Sequence, residues 1–212
     1  MSRRLPPGGV PDARRGGGSV RIIGGCWRGT RLQVADAPGL RPTSDRVRET
    51  LFNWLMPALP GATVLDLFAG SGALGLEAAS RGAARAVLVE RDPALAAMLR
   101  QHAARLDAGD RIEVANEDAL RWLARAPAAK ADIAFVDPPF AAGLWEAAMP
   151  ALLPHLAADA WLYVESPAGT APAPPPGWRL HRELATAQAR AALYRGPGAG
   201  GADTLGPANP AP

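Results

Sequence analysis

The feature that most constrains the fold of this chain is a regular alternation of short apolar runs and amphipathic stretches between residues 63 and 164. The periodicity predicts strands at 63–67, 86–89, 112–115, 133–136 and 161–164, and helices at 73–81, 93–106, 119–126 and 144–156, the last interrupted near Pro150. Continuous apolar strands separated by helices are typical of a parallel sheet covered on both faces. We therefore predict an α/β fold in which ligands bind beyond the carboxyl ends of the strands.

Shorter elements are predicted on either side of this alternating region. Strand candidates at 21–23 and 30–34 predict a small hairpin, and residues 179–195 predict two more strands around Ala187-Gln188. A helix is predicted at 45–56, with Thr43 or Ser44 as its cap. The two ends of the chain lack apolar periodicity and are predicted to be disordered. The predicted organisation is a basic tail at 1–18, a hairpin extension at 19–40, one domain at 41–195 and a second tail at 196–212.

Charge is distributed unevenly along the chain. The formal net charge is +3, but the first 50 residues alone carry +6 and the remainder −3. A basic segment beside a mildly acidic domain favours a polyanionic partner, with nucleic acid first. Arg21, Arg28 and Arg31 of the predicted hairpin are candidates for phosphate contacts, whereas Trp27 is more typical of an aromatic packed on the domain. For residues 1–18 a solvated tail without a ligand is the favoured alternative.

Several classes of protein do not fit the composition. Cys26 is the only cysteine, so neither an intrachain disulfide nor a thiolate metal cluster can form. His102, His155 and His181 lack partners at metal-ligand spacing, and no metal is predicted. No apolar run approaches the roughly 20 residues of a membrane span, and the first residues lack the apolar core of a secretory signal. We predict a cytoplasmic protein that does not engage a membrane.

A glycine-rich turn follows the first strand of the alternating region. It reads Asp66-Leu67-Phe68-Ala69-Gly70-Ser71-Gly72-Ala73-Leu74-Gly75 and satisfies G-x-G-x-x-G, which lets a nucleotide-type ligand approach the backbone closely. Glu90 ends the second strand 20 residues after Gly70, where a carboxylate can accept both hydroxyls of a ribose. Asp118, after the third strand, could bond an adenine amine or cap a helix, and both alternatives stay open.

Asp66 argues against a dinucleotide in this turn. It lies four residues before Gly70, where its negative charge would repel a pyrophosphate and suit a cationic amino-acid group. A dinucleotide enzyme would share the glycines and Glu90. The pattern therefore favours a cofactor that joins an adenosine to a charged amino acid.

The fourth strand ends in Asp137-Pro138-Pro139-Phe140. The two prolines fix φ and remove two N–H donors, so the local carbonyls and the Asp137 carboxylate form a stiff row of acceptors. Such a row can bind the amine of an aromatic base, with one N–H directed to the carboxylate and one to the Pro138 carbonyl. Phe140 can stack on the same base. The run predicts an active site for methylation of a base amine, and an ordinary proline-stiffened turn is the alternative.

These residues resemble the class I S-adenosylmethionine methyltransferases, and more narrowly the bacterial small-subunit (16S) rRNA guanine-N2 methyltransferases. The resemblance covers about residues 20–195 and is carried by segments 21–25, 27–29, 41–55 and 65–75 and by the Asp-Pro-Pro-Phe run. It implies a Rossmann-like, seven-stranded, mostly parallel sheet with helices on both faces and a last strand that runs antiparallel. It also implies a small N-terminal β-hairpin extension that engages rRNA.

The resemblance further implies roles for individual residues, by match of motif. S-adenosyl-L-methionine would be contacted by Thr43, Asp66, Phe68, Gly70, Ser71, Gly72, Glu90, Arg91, Asp118, Ala119 and Asp137. The target amine would be bound by Asp137, Pro138, Pro139 and Phe140. The RNA-facing residues would be Arg21, Arg28, Arg31, Arg41, Arg46 and Arg48. The implied partner is 16S rRNA or the small ribosomal subunit, and a monomer is expected by default.

Residues and resemblance together predict transfer of a methyl group to the exocyclic N2 amine of a guanine in 16S rRNA. One alternative is a DNA adenine-N6 methyltransferase, which uses a similar acidic or amide Pro-Pro-aromatic element. A second, from another class, is a cofactor-binding RNA chaperone without catalysis. The intact run from Asp137 to Phe140 argues against that second alternative.

Overall fold

A seven-stranded sheet lies at the centre of the computed structural model, which describes residues 18–34, 44–127 and 130–199. Two strands form a separate hairpin, β1 (Ser19–Arg21) and β2 (Arg31–Gln33). The strands of the seven-stranded sheet are β3 (Thr63–Asp66), β4 (Arg85–Glu90), β5 (Ile112–Asn116), β6 (Ala131–Val136), β7 (Leu156–Pro167), β8 (Arg179–Ala185) and β9 (Ala189–Arg195). The helices are α1 (Asp45–Leu55), α2 (Ala73–Ser80), α3 (Pro93–Arg105), α4 (Ala119–Arg125) and α5 (Trp145–Leu152).

The strand order in this sheet is β5-β4-β3-β6-β7-β9-β8. Strands β3 to β7 are parallel, and β9 is antiparallel to both of its neighbours. The reversal follows from the tight turn after β8, which can only join antiparallel strands. The prediction of an α/β fold with a mostly parallel sheet and a reversed last strand is confirmed. The chain winds outward from β3 and then returns to β6, so the ligand crevice is expected between those two strands.

Side chains alternate between the two faces of the sheet, and both faces are covered. On one face Val64, Ile133 and Phe135 pack with Leu51 and Phe52 of α1. The opposite face packs on α4 and α5, through a cluster that contains Leu65, Ala134, Val136, Leu123 and Met149. Because successive strand residues point to opposite faces, a continuous apolar stretch such as residues 133–136 of β6 requires this two-sided cover.

The N-terminal hairpin β1–β2 packs against α2 and closes that helix off from solvent. Every residue of α2 is buried, and its Glu77 accepts the backbone N–H groups of Ile23 (2.7 Å) and Gly24 (2.8 Å). Farther along the helix, Ser80 accepts the N–H of Trp27 through its side chain at 3.0 Å. The predicted hairpin is confirmed, and its position is fixed by these contacts with α2.

Three boundaries differ from the predictions. Helix α5 continues through Pro150 to Leu152 instead of being interrupted. Proline has no N–H to donate to the carbonyl four residues earlier, but that carbonyl belongs to Glu146, an exposed residue, so the missing hydrogen bond is tolerated. Strand β7 is much longer than predicted and begins at Leu156, directly after a short 3-10 turn. The predicted tail at 196–212 starts too early, because the N–H groups of Gly196 and Gly198 donate to carbonyls of the β7 region.

Other predictions fall partly or wholly outside the described residues. These include the basic tail, most of the second tail, Arg41 and Thr43. The other proposed cap of α1, Ser44, accepts the N–H of Val47 at 3.3 Å and is confirmed as the cap. Among the helices that the structure describes, none combines the length and the apolar character needed to cross a bilayer. The described ranges also contain no cluster of three or more histidine, cysteine or acidic side chains that could hold a metal ion.

Candidate active site

Three acidic residues follow neighbouring strands at the carboxyl edge of the sheet. Asp66 ends β3, Glu90 ends β4, and Asp137 comes directly after β6. Asp66 is in register with Leu88 and Phe135, so Glu90 and Asp137 lie two residues further along their strands. Since side chains repeat on one face every second residue, all three carboxylates belong to the same face of the sheet. The fold thus brings together the acids that the sequence singled out.

The glycine turn between β3 and α2 has the backbone conformation that its sequence predicts. Gly70 and Gly72 have φ values of +51° and +78°, in the left-handed region that favours glycine. The N–H of Gly70 donates to Oε2 of Glu90 at 2.8 Å, which joins the turn to the end of β4. A Cβ atom on Gly72 would lie 2.5 Å from the Leu99 side chain. A side chain at Gly72 is therefore excluded for two reasons, the positive φ of its backbone and the close packing of Leu99. Within the same turn Phe68 is half-buried and Ser71 is buried.

Asp66 is a buried carboxyl at the centre of this edge. Its Oδ2 accepts the N–H of Gly75 at 3.0 Å. Burial is the main reason that the pKa of Asp66 rises to about 7, and the charge of Glu90 adds to the rise. A buried carboxylate is stabilised by a nearby cation, which would lower that pKa again. The position therefore suits a positively charged group of a ligand, as the sequence predicted.

Glu90 is oriented by two backbone N–H groups. Its Oε2 accepts from Gly70 and its Oε1 accepts from Asp92, both at 2.8 Å. A carboxylate offers about four acceptor sites, so two ribose hydroxyls can still be bound. Asn116, which the sequence analysis did not single out, donates to the carbonyls of Glu90 (2.9 Å) and Arg91 (3.1 Å). It ties β5 to the end of β4. The sequence signal that could have identified this residue is an asparagine at a strand end.

Asp118 caps α4. Its Oδ1 accepts the N–H groups of Leu120 (3.1 Å) and Arg121 (3.2 Å), so the capping alternative is confirmed. The next residue, Ala119, is buried, and Arg91 at the neighbouring strand end is exposed. Contacts of these residues with an adenine stay predictions. Overall, the buried acids and the glycine turn fit a cofactor with a cationic amino-acid end and an adenosine ribose.

The run from Asp137 to Phe140 follows β6 and forms one wall of the crevice that the topology predicts at the carboxyl edge. Asp137 is half-buried, Pro138 is buried, and Pro139 is exposed with extended backbone (φ −53°, ψ 123°). Among the described residues, Phe140 is one of three large apolar side chains that are exposed, with 38% of its surface accessible. Its ring lies 6.1 Å from that of Trp145, between centroids. The wall therefore combines a carboxylate, a rigid pair of prolines and an accessible aromatic face.

Sequence reasoning missed two residues of β7 beside this wall. Glu165 is buried, and its Oε2 accepts the hydroxyl proton of Tyr163 at 2.8 Å. Burial first, and then the negative charges of Glu165 and Asp137, raise the pKa of Tyr163 well above its usual value near 10. Both carboxylates therefore lie near this hydroxyl. The available signal was an acid inside the otherwise apolar strand sequence Trp161-Leu162-Tyr163-Val164-Glu165.

The arginines that were predicted to face RNA differ in their exposure and in their partners. Arg28 is exposed in the hairpin loop, which is bonded to Ser80 at the far end of α2 from the glycine turn. The eight residues of α2 span about 12 Å at 1.5 Å per residue, so this loop is remote from the acids. Arg21, Arg31 and Arg46 are exposed, and Arg21 lies 3.5 Å from Asp45 at the start of α1.

Arg48 requires a correction. Its guanidinium is only 1% exposed and contacts Asp45 at 2.6 Å, Glu77 at 3.7 Å and the carbonyl of Arg21 at 2.9 Å. The prediction that Arg48 faces RNA is wrong, because its guanidinium is buried and pairs with acidic side chains of the protein itself. It joins α1, α2 and the hairpin.

Comparisons with known proteins agree with this geometry. The family model described as Conserved hypothetical protein 95 matches residues 20–195. "Ribosomal RNA small subunit methyltransferase D" of Escherichia coli strain K12 is 50% identical over 183 residues, which are 85% of this chain and 91% of that protein. The protein of the same name from Haemophilus influenzae is 41% identical over 88% of this chain and 97% of its own length.

Solved structures have the same architecture. The protein named "Putative methyltransferase yhhF from Escherichia coli" superposes with a TM-score of 0.77 at 47% identity, covering 84% of this chain and 98% of its own. SMU.776, named as "a putative methyltransferase complexed with SAH", has a TM-score of 0.65 at 15% identity, covering 90% of this chain and 58% of its own. The second likeness concerns the fold alone.

Proposed function

The chain belongs to the family of Conserved hypothetical protein 95 and of the ribosomal RNA small subunit methyltransferases D, and we propose that it methylates the exocyclic N2 amine of a guanine in 16S rRNA. The methyl donor is S-adenosyl-L-methionine. One observation carries the proposal. The cofactor-type acids Asp66 and Glu90 share a sheet face with Asp137, the first residue of the amine-binding run.

Asp66 and Glu90 would hold the two polar ends of the donor. S-adenosylmethionine supplies an electrophilic methyl group on a positively charged sulfur. The buried Asp66 carboxylate pairs with the ammonium of the amino-acid end, and Glu90 accepts the ribose hydroxyls. The left-handed turn at Gly70 and Gly72 leaves the backbone accessible beside them.

Asp137 and Pro138 would prepare the target amine for attack. The lone pair of a guanine N2 amine is delocalised into the ring, which makes it a poor nucleophile. When the Asp137 carboxylate and the Pro138 carbonyl each accept one N–H, the lone pair is directed away from them, toward the methyl group. The carboxylate would also stabilise the positive charge that develops on nitrogen and accept the proton that is lost. Phe140 stacks on the base, a contact worth about 1–3 kcal/mol.

The proposal is tested by identification of the product. The protein is incubated with labelled S-adenosylmethionine and with small subunits assembled on unmodified transcript, naked 16S rRNA or DNA, and the digested nucleosides are then identified. We expect N2-methylguanosine from the ribosomal RNA. Methylated adenine in DNA would instead support the DNA adenine-N6 alternative. Absence of any methylated nucleoside, with the donor bound, would support the non-catalytic alternative.

The raised pKa of Asp66 predicts a pH dependence of donor binding. In the free protein this carboxyl, with its pKa of about 7, is mostly protonated below pH 7 and cannot pair with an ammonium. Binding of the cation favours the ionised form, so affinity increases as pH rises. We expect Kd to fall roughly fivefold between pH 6 and pH 7.5, because the gain from ionising Asp66 outweighs the loss as the donor's α-amino group, with a pKa near 8, begins to lose its proton. Isothermal calorimetry measures this slope.

Asp66→Asn is the matched control for that measurement. Its amide has no proton to lose in this range, so donor binding should be weaker and nearly independent of pH between 6 and 7.5. An unchanged slope in Asp66→Asn would assign the pH dependence to another group.

A further inference from the structure

Glu165 is a buried acid for which the proposed reaction has no role so far. Val136 of β6 pairs with Val164 of β7, so the next residues along the two strands, Asp137 and Glu165, lie side by side at the carboxyl edge. Only 8% of Glu165 is exposed. Burial of a glutamate beside another carboxylate is unfavourable for folding, which points to a use for its charge.

The surroundings of Glu165 orient it toward this edge. Tyr163, two residues earlier on the same face, donates its hydroxyl proton to Oε2 at 2.8 Å, and its own ring is packed edge-on against Phe135. The raised pKa keeps this tyrosine a neutral donor at all ordinary pH values. The hydrogen bond therefore positions the Glu165 side chain while the proton stays on Tyr163.

The backbone of the same residue supports the aromatic part of the wall. The carbonyl of Glu165 accepts Nε1–H of Trp145 at 2.8 Å, and the Trp145 ring contacts Phe140. The residue thus lies beside the amine-binding run in two ways, next to Asp137 by strand register and linked to Phe140 through Trp145. A base stacked on Phe140 with its amine at Asp137 would present the adjacent edge atoms toward β7.

The edge atom next to the reactive amine differs between the two purines. In guanine the ring nitrogen N1 beside the N2 amine carries a hydrogen and is a donor. In adenine the ring nitrogen N1 beside the N6 amine is an acceptor. A carboxylate at this place gains a hydrogen bond from guanine and faces a lone pair in adenine, which leaves two buried acceptors without a proton between them.

We propose that Glu165 reads the base, by accepting N1–H of the target guanine while Asp137 and Pro138 hold its N2 amine. This inference rests on the proposed function and goes further, because it assigns the choice of guanine over adenine to a residue outside the Asp137–Phe140 run. A carboxylate has acceptor sites for a base N–H in addition to the Tyr163 hydroxyl. Tyr163 is the positioning residue in this arrangement.

The experiment uses 2-aminopurine in place of the guanosine that the wild-type protein methylates. This analogue keeps the reactive 2-amine but has an acceptor at N1. We expect the wild-type protein to prefer guanine by about 100-fold in kcat/KM, since a hydrogen bond to a charged group is lost and an acceptor is left unpaired. In Glu165→Gln, with Tyr163 bonded to the amide oxygen, the NH2 group can donate to N1 of the analogue. The preference should then fall below about tenfold.

Two further variants complete the test. Tyr163→Phe should reduce the preference for guanine in the same direction by a smaller factor, because the carboxylate loses its positioning bond. Glu183→Gln is the control: it alters an exposed glutamate that pairs with Arg190, and kcat/KM should stay unchanged for both substrates.

The outcomes separate this inference from the proposed function. If wild-type protein methylates no guanine, the proposed function fails at the first step. If it does, and Glu165→Gln loses activity on both substrates by the same factor while still binding donor, Glu165 is structural and the inference is overturned. A selective loss on guanine supports it.

Discussion

Replacement of Asp137 by alanine is expected to lower the rate of methyl transfer by about 10²–10³-fold or more, with donor affinity unchanged within a few-fold. In the proposed reaction the carboxylate acts on charge that develops only as the amine attacks, and removal of one such preorganised group typically has an effect of this size. Single-turnover transfer to rRNA gives the rate, and isothermal calorimetry gives the affinity for S-adenosylmethionine.

Asp110→Ala is the matched control for this experiment. Asp110 is an exposed aspartate just before β5, away from the carboxyl edge, and its loss should leave both quantities unchanged. Combined loss of transfer and donor binding in Asp137→Ala would mean that Asp137 belongs mainly to the donor site.

Replacement of Glu77 by alanine is expected to lower the free energy of unfolding by about 3–5 kcal/mol, because it breaks a buried ion pair from one side. Glu77 is fully buried, accepts two backbone N–H groups of the hairpin and lies 2.7 Å from Arg81. Its loss leaves the buried guanidinium of Arg48 without this partner and removes both bonds that hold Ile23 and Gly24. Chemical denaturation measures the stability, and amide exchange at Ile23 and Gly24 reports release of the hairpin.

Glu113→Ala provides the comparison with an exposed pair. Glu113 and Arg85 also form a glutamate–arginine ion pair, but both side chains are about half exposed. Exposed pairs contribute roughly 0–1 kcal/mol, so this variant should be nearly neutral. Equal destabilisation by the two variants would show that burial of Glu77 is not what makes its contacts strong.

The contrast between these two glutamates shows where sequence reasoning reached its limit. Each glutamate has an arginine nearby in the sequence, Arg81 after Glu77 and Arg111 before Glu113, and nothing in the local sequence shows which one is buried. The position of α2 between the sheet and the hairpin makes Glu77 a buried anchor, while the position of β5 at the sheet edge leaves Glu113 in solvent. The packing of α2 against the hairpin also buries Arg48, which was predicted to contact RNA, in an ion pair with Glu77.

The sequence by itself determined the alternating elements, the glycine turn and the Asp137–Phe140 run. These depend on relations between residues close in the chain, namely apolar periodicity, left-handed glycines and proline-fixed backbone, so local physics is sufficient for them. The carboxyl edge followed as well, since parallel strands place their ends together. Accordingly Asp66, Glu90 and Asp137 can be identified from the sequence alone.

Only the tertiary structure decided which side chains stand next to those acids. That β7 lies beside β6, and that Val136 is in register with Val164, depends on pairing between strands separated by a whole helix. Glu165 therefore became visible as the neighbour of Asp137 only when the sheet was assembled. Register and strand order are set by the burial of whole faces, a property of the complete core that no short stretch of sequence contains.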